Sequence, residues 1–347
     1  MSDQVVNGIF ATALGAVLAV LLLAPTAAVQ YRRDGRLGPG DLLTLVGAAV
    51  YGLALWTYTL LPFPVDDTFA CQRTQLEILG SFRPVIERGL VAPSVLLHDA
   101  AFMQLALNVL LFVPLGFFVR LVLHRGVVVT TILGLLISLA IETTQLSGIW
   151  GLYHCAYRVF DVDDLIVNTF GAFLGGVLAW LLLHRHRRAP EALPTTITLG
   201  RRWVGFLSDA IVVMTAGLAA AIAYRAWSLY GRDLPFDQVS THATTAWQLG
   251  VPLALEAAMV LIAGRTVGEW VISVEPVTGR VPVPLARLIK LTLGVGGFAV
   301  LLVLDFPGSR LLLIAQVAVT LLAAIRTRAH RGLTHWAAGM ELTIGRS

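Results

Sequence analysis

The chain is poor in charge. Asp, Glu, Lys and Arg make up 13% of its 347 residues, whereas apolar residues supply 57%, and mean hydropathy is +0.79. Those proportions lie outside the soluble globular range. Lysine is nearly missing: Lys290 stands alone beside an otherwise arginine-based set of cations. With abundant Ala, Gly and Val, this usage hints at a high-GC bacterial genome. Cysteine is scarce. Cys71 and Cys155 belong to no ligand pair, and the adjacent His154 alone makes no zinc site. The phosphate-binding loop, the dinucleotide fingerprint, HExxH and GxSxG are all missing, which removes the commonest soluble-enzyme classes. The first apolar run lacks a basic leader and a small-residue cleavage pattern, so it reads as a retained helix. No convincing repeat relates the two halves, so an inverted-repeat transporter architecture gains no support.

What is present is length of apolar run. Stretches long enough to cross about 30 Å of hydrocarbon lie near 8–29, 42–61, 100–123, 127–147, 165–183, 206–228, 246–263, 288–304 and 311–325. The fold class is therefore all-α, a polytopic transmembrane protein of about nine spans in two bundles. A basic, proline-containing stretch with Arg185, Arg187, Arg188, Pro190 and Pro194 interrupts the hydropathy. It divides the chain into a five-helix membrane domain at 1–188, a cytoplasmic linker at 189–204, a second membrane domain at 205–328 and a cytoplasmic tail at 329–347.

Loop charges orient the spans. With the amino terminus outside and the carboxyl terminus cytoplasmic, the inner loops hold most of the arginines, and the outer loops hold most of the acids. Positive-inside bias demands that asymmetry, and the flipped topology contradicts it. The net charge of +4 thus follows from orientation and needs no nucleic-acid partner. Both cysteines then fall in outer loops, where a Cys71–Cys155 disulfide is expected.

Polar groups within or beside apolar spans carry the functional signal, because a charge at mid-span costs on the order of 2.5–3.5 kcal/mol. Asn108 lies inside the third span. Glu142 and Gln145 stand at i and i+3 on the fourth, on one face. Arg158, Asp161, Asp163, Asp164 and Asn168 lead into the fifth, with Asp164 and Asn168 again on one face. Convergence of this set at one depth predicts an outward-facing polar cavity. Simpler roles compete: Asp161 and Asp163 as helix caps, Glu142 and Gln145 as interhelical hydrogen-bonding groups, Arg158 as an ion-pair partner of an aspartate. Gly171 and Gly175 form a small-xxx-small surface for close helix approach. Arg83 and Glu87 can pair at i and i+4 on a short helix of the 62–98 loop.

Three segments, NVLLFVPLG from Asn108, Glu142-x-x-Gln145 and RVFDVDDLIVNTFGAFLG from Arg158, resemble the VanZ-like membrane protein family. That family takes its name from a protein of glycopeptide resistance clusters that raises resistance to teicoplanin. The resemblance covers roughly the first half. It implies that Asn108, Glu142, Gln145, Arg158, Asp161, Asp164 and Asn168 are the recurrent polar residues. In the second half, Arg202 and Asp209, the run Gly264–Arg265–Thr266–Gly268, and Arg287 resemble the RDD family of small membrane domains. Glu256 would take the place of that family's second aspartate, and Glu269 stands where a basic residue is usual.

Three functions fit these residues. The first is a non-enzymatic protein of the cell envelope that binds a lipid-linked cell-wall precursor or a glycopeptide, with Arg158 meeting a phosphate or carboxylate. The second is a proton-coupled transporter or flippase using Glu142, Asp209 or Glu256. The third is a metal-assisted membrane enzyme acting on a lipid-linked substrate. The spacing selects no metal and no cofactor. The partners expected are the bilayer and the envelope ligand.

Overall fold

The computed structural model describes residues 3–65, 68–91, 98–184, 194–303 and 306–345. The arginine cluster 185–188 and residues 189–193 of the expected linker lie outside the described residues; the rest of that linker is described, and from Leu199 onward it is helix rather than linker. The chain divides into two compact units, 1–19 with 42–191, and 20–41 with 192–347. Among the described residues, nine helical stretches are long and apolar enough to cross a bilayer. Together with the minor share of strand, they make this an all-α, multi-pass membrane protein.

α1 (Asp3–Arg33) and α2 (Pro39–Leu60) open the chain. They are followed by the short β1 (Thr74–Gln75) and by α3 (Arg83–Val91). Arg83 Nε lies 3.8 Å from Glu87 Oε1 on α3, but both side chains are exposed, so the pair adds little. α4 (Ala100–Leu123), α5 (Val127–Leu146) and α7 (Val162–His184) complete the membrane part of unit 1. A turn, α6 (Gly148–Gly151), and β2 (Phe160–Asp161) lie between α5 and α7.

α4 and α7 pack at backbone contact because glycine removes the side chains between them. A methyl group added at Gly175 would overlap the Val113 carbonyl, one at Gly171 the Val109 carbonyl, and one at Gly116 the Ala172 carbonyl. The seam anticipated from Gly171 and Gly175 is therefore the α4–α7 contact. Phe112, Leu115, Leu55 and Ala172 fill the interior beside it.

At one end of unit 1 the loops are tied together. Cys71 and Cys155 form a disulfide. Next to it Gln72 N–H donates to Ala156 O, and β1 pairs with β2 in parallel, Thr74 opposite Phe160. His154 Nε2 lies 3.5 Å from Cys71 Sγ, but with both sulfurs in the disulfide this trio offers no thiolate to a metal.

Unit 2 contains α8 (Leu199–Ala226) with a π-helical extension, α9 (Thr241–Ala263), the short α10 (Val267–Val271) and β3 (Val274–Thr278). Next come α11 (Val283–Leu293) and α12 (Val295–Val303), parted at Gly294, then α13 (Ser309–Arg326), α14 (Leu333–Ala337) and β4 (Met340–Ile344). The expected single span over 288–304 is thus two helices end to end. The region read as a tail folds back: β4 pairs antiparallel with β3, Pro276 opposite Leu342, and Met340 is buried. The segment 20–41, expected in the first bundle, clusters with unit 2. The physical reason is a shared core of Ala24, Ala27, Ala28 and Tyr31 with Val271, Ile272 and Val274. The buried Arg201 stacks over Tyr31, and the exposed Arg32 lies over Trp270.

Candidate functional site

The carboxyl end of α2 frames a site in unit 1. A helix leaves its last carbonyls without intrahelical partners, and side chains supply them here. Gln145 Nε2 donates to Thr59 O at 2.7 Å. Arg158 Nη1 donates to the same oxygen at 2.9 Å, and Nη2 donates to Leu61 O at 2.8 Å. The Tyr157 hydroxyl donates to Leu60 O at 3.1 Å. Burial raises the pKa of that phenol against the opposing pull of Arg158, which keeps it a donor. The guanidinium sits at the negative end of the helix dipole, the favourable end for its charge. The expected ion pair of Arg158 with an aspartate is replaced by this carbonyl cap.

Beside the cap lies a cavity of about 260 Å³. Six of the residues singled out in the sequence line it: Asn108, Glu142, Gln145, Arg158, Asp164 and Asn168. Asn108 Nδ2 donates to Asp164 Oδ1 at 2.7 Å, joining α4 to α7. Asn168 Nδ2 donates to Ser138 Oγ at 2.9 Å, joining α7 to α5. Glu142 Oε2 accepts from the Asp161 N–H at 3.2 Å. The buried Asn168 Oδ1 has no donor. Gln104 also lines the cavity. The signal for it was its place one turn before Asn108.

Asp161 and Asp163 do not line this cavity. Asp163 is fully buried, and its two oxygens accept from Leu79 N–H at 2.7 Å and Ser81 N–H at 2.8 Å. Asp161 accepts from Ser81 Oγ and from the Asp163 N–H, both at 2.8 Å. Asp161 caps α7 and both acids anchor the 79–81 loop, so their carboxylates are spent on structure.

Unit 2 holds a second polar interior. Glu269 is its hub. Lys290 Nζ donates to Glu269 Oε2, His335 Nε2 lies 2.7 Å from Oε1 and Arg202 Nη1 lies 3.7 Å from it. All four side chains are under 5% exposed. Burial pushes the Glu269 carboxyl up, but Lys290, then His335 and Arg202, more than reverse this and hold it well below the usual carboxylate range. Burial lowers His335 to about 4, against the pull of Glu269. Glu269 also closes a capping box on α10, with Thr266 N–H donating to it at 3.0 Å.

Asp209 accepts from Thr266 Oγ1 at 2.9 Å and from the Gly268 N–H. Glu256 accepts from Val267 N–H at 3.3 Å. Arg202, Asp209 and Glu256 therefore converge on α10. Arg265 and Arg287 do not join them: Arg265 Nη1 pairs with Glu275 at 3.1 Å, and Arg287 Nη1 donates to Leu261 O at 2.7 Å, capping α9. Sequence reasoning missed Lys290 and His335. The available signal was the chain's lone lysine at the edge of an apolar run. His335 lay in a stretch read as a tail and gave none.

These features define a multi-pass helical membrane protein with a polar cavity among α2, α4, α5 and α7 at the disulfide-bearing end of one unit. Residues 48–183, which contain that whole cavity, match the VanZ/LLP1 family. No curated protein and no solved structure matches the chain.

Proposed function

We propose that unit 1 is an envelope receptor that binds a lipid-linked cell-wall precursor or a glycopeptide such as teicoplanin, without catalysis. The observation that carries this reading is the surplus of acceptors in the cavity. Asn168 Oδ1 has no donor, and the Glu142 and Asp164 carboxylates line the same space. Both terminal nitrogens of Arg158 already donate to carbonyls. Such a wall suits a ligand that donates hydrogen bonds, through sugar hydroxyls, peptide amides or an amino group. It suits a phosphate less well, so the role first expected for Arg158 passes to helix capping. With the amino terminus outside, as the arginine distribution favours, the cavity and the disulfide face the outer leaflet and an oxidising compartment.

Unit 2 we assign to the RDD family, supported by the convergence of Arg202, Asp209 and Glu256 on the Thr266–Gly268 turn. A transport function draws its support from Glu256, which is wholly buried inside a candidate span.

The test is teicoplanin and vancomycin susceptibility of a deletion strain complemented with wild type, Asn168→Ala, Asp164→Asn and Glu142→Gln at matched membrane levels. Deletion sensitises to teicoplanin, and the three variants restore resistance poorly. Unchanged susceptibility on deletion, or full complementation by all three, overturns the proposal.

A further inference from the structure

We propose that unit 2 binds a single-chain amphiphile with an uncharged oxygen head group, such as a long-chain alcohol or ester, its chain in the membrane and its head at Arg202. Unit 2 holds a partly open cavity of about 460 Å³, within the usual ligand-site range of ~300–1,000 Å³. Its two ends differ. Leu253, Val260, Phe298, Leu302, Val317 and Leu321 give it apolar walls, and Arg202, Asp209, Glu269, Lys290 and His335 gather at the polar end. An apolar cavity in a membrane-spanning unit admits a hydrocarbon chain, and the polar end decides which head it accepts.

Arg202 is the group left wanting. It is 1% exposed, its Nε has no hydrogen-bond partner, and its Glu269 contact at 3.7 Å is longer than a hydrogen bond. The guanidinium face rests over Phe206. A buried donor without an acceptor costs on the order of 1–3 kcal/mol, and a ligand oxygen placed there recovers it. Charge selects the kind of oxygen. The cavity-lining cations Arg202 and Lys290 face the Glu269 carboxylate and the Asp209–Glu256 pair, whose two carboxyl groups meet on one turn and hold a single negative charge between them, and His335 is neutral near pH 7. A carboxylate or phosphate head would add uncompensated negative charge at low dielectric. A hydroxyl or ester oxygen accepts from Arg202 without that cost.

The experiment is native mass spectrometry of the full chain released from detergent micelles, titrated with oleyl alcohol and with sodium oleate. One oleyl alcohol binds per chain, about tenfold tighter than oleate. Ala299 lines the cavity; Ala299→Trp fills part of it, leaves every charge in place and weakens oleyl alcohol binding about tenfold. Arg202→Met has the same effect, and Asn168→Ala in unit 1 has none. Equal or tighter binding of oleate overturns the proposal, as does wild-type binding by Ala299→Trp that elutes monodisperse with unchanged helicity. If Arg202→Met does not fold, Ala299→Trp and the oleate comparison decide.

Discussion

The two units bury polar groups in opposite ways. In unit 1 each charge is handled separately. Arg158 goes to the carbonyls of α2, Asp161 and Asp163 to a loop and a helix start, and the remaining amides and acids surround open space with an acceptor to spare. In unit 2 opposite charges share one hub, Glu269, and hold one another. The first arrangement tolerates loss of a member and leaves capacity for a ligand. The second is mutually dependent, so removing one member strands the others in a low-dielectric interior.

The sharpest way to break that contrast is to remove the hub. Glu269→Leu leaves Lys290 buried without its counter-charge and should destabilise by about 3–5 kcal/mol. Glu142→Leu in unit 1 should cost far less, since it strands one N–H and no cation. Thermal unfolding of both variants in the same detergent, followed by tryptophan fluorescence, checks this. Equal losses would mean that the two interiors are alike.

The next effect belongs to unit 1. The disulfide joins residues 84 apart in sequence, and cross-links of this kind contribute about 2–4 kcal/mol. Cys71→Ser with Cys155→Ser should destabilise unit 1 by that order and speed amide exchange in the Gln72–Ser81 loop, leaving β3 and β4 unaffected. Hydrogen-exchange mass spectrometry resolves the two. A smaller loss follows from the α4–α7 seam. Gly175→Ala meets the Val113 carbonyl directly and should cost ~1–3 kcal/mol, whereas Gly52→Ala, with open space around it, should be neutral or slightly stabilising. A neutral Gly175→Ala, measured by the same unfolding assay, would refute the close approach.

How much of this was legible in the sequence follows from the range of the interactions. The spans were legible because apolar length is a local property, and so was the seam, because Gly171 and Gly175 share a helix face. The unit 1 cavity was legible because its polar residues repeat at i, i+3 and i+4 on spans whose depth the hydropathy fixes. What could not be read was who takes which partner. Nothing in the run Arg158–Asp164 says that the arginine caps α2 while Asp163 reaches back to Leu79 and Ser81. The hub around Glu269 was harder still. Its members come from α8, α10, α11 and α14, and His335 meets Glu269 only because the carboxyl-terminal segment folds back to pair with β3.

The smallest predicted effect is one of pH, and it separates the units cleanly. His335 is held at about 4 by burial, despite Glu269 beside it, whereas an unfolded histidine titrates near 6.5. Between those values the unfolded chain carries more protons than the folded one. Stability from this group is therefore complete above about pH 6.5 and is lost as pH falls toward about 4. From about pH 7 to about pH 5 the loss for unit 2 should be on the order of 1–2 kcal/mol. His335→Gln removes the titration and keeps a donor for Glu269, so its unfolding midpoint should fall less over that window than the wild type's. Exchange in β3 and β4 should follow the wild-type loss, while exchange in the disulfide-tied loops of unit 1 should not. If His335→Gln and wild type fall in parallel, the acid sensitivity arises elsewhere and the imidazole sits in a wetter place than its neighbours imply.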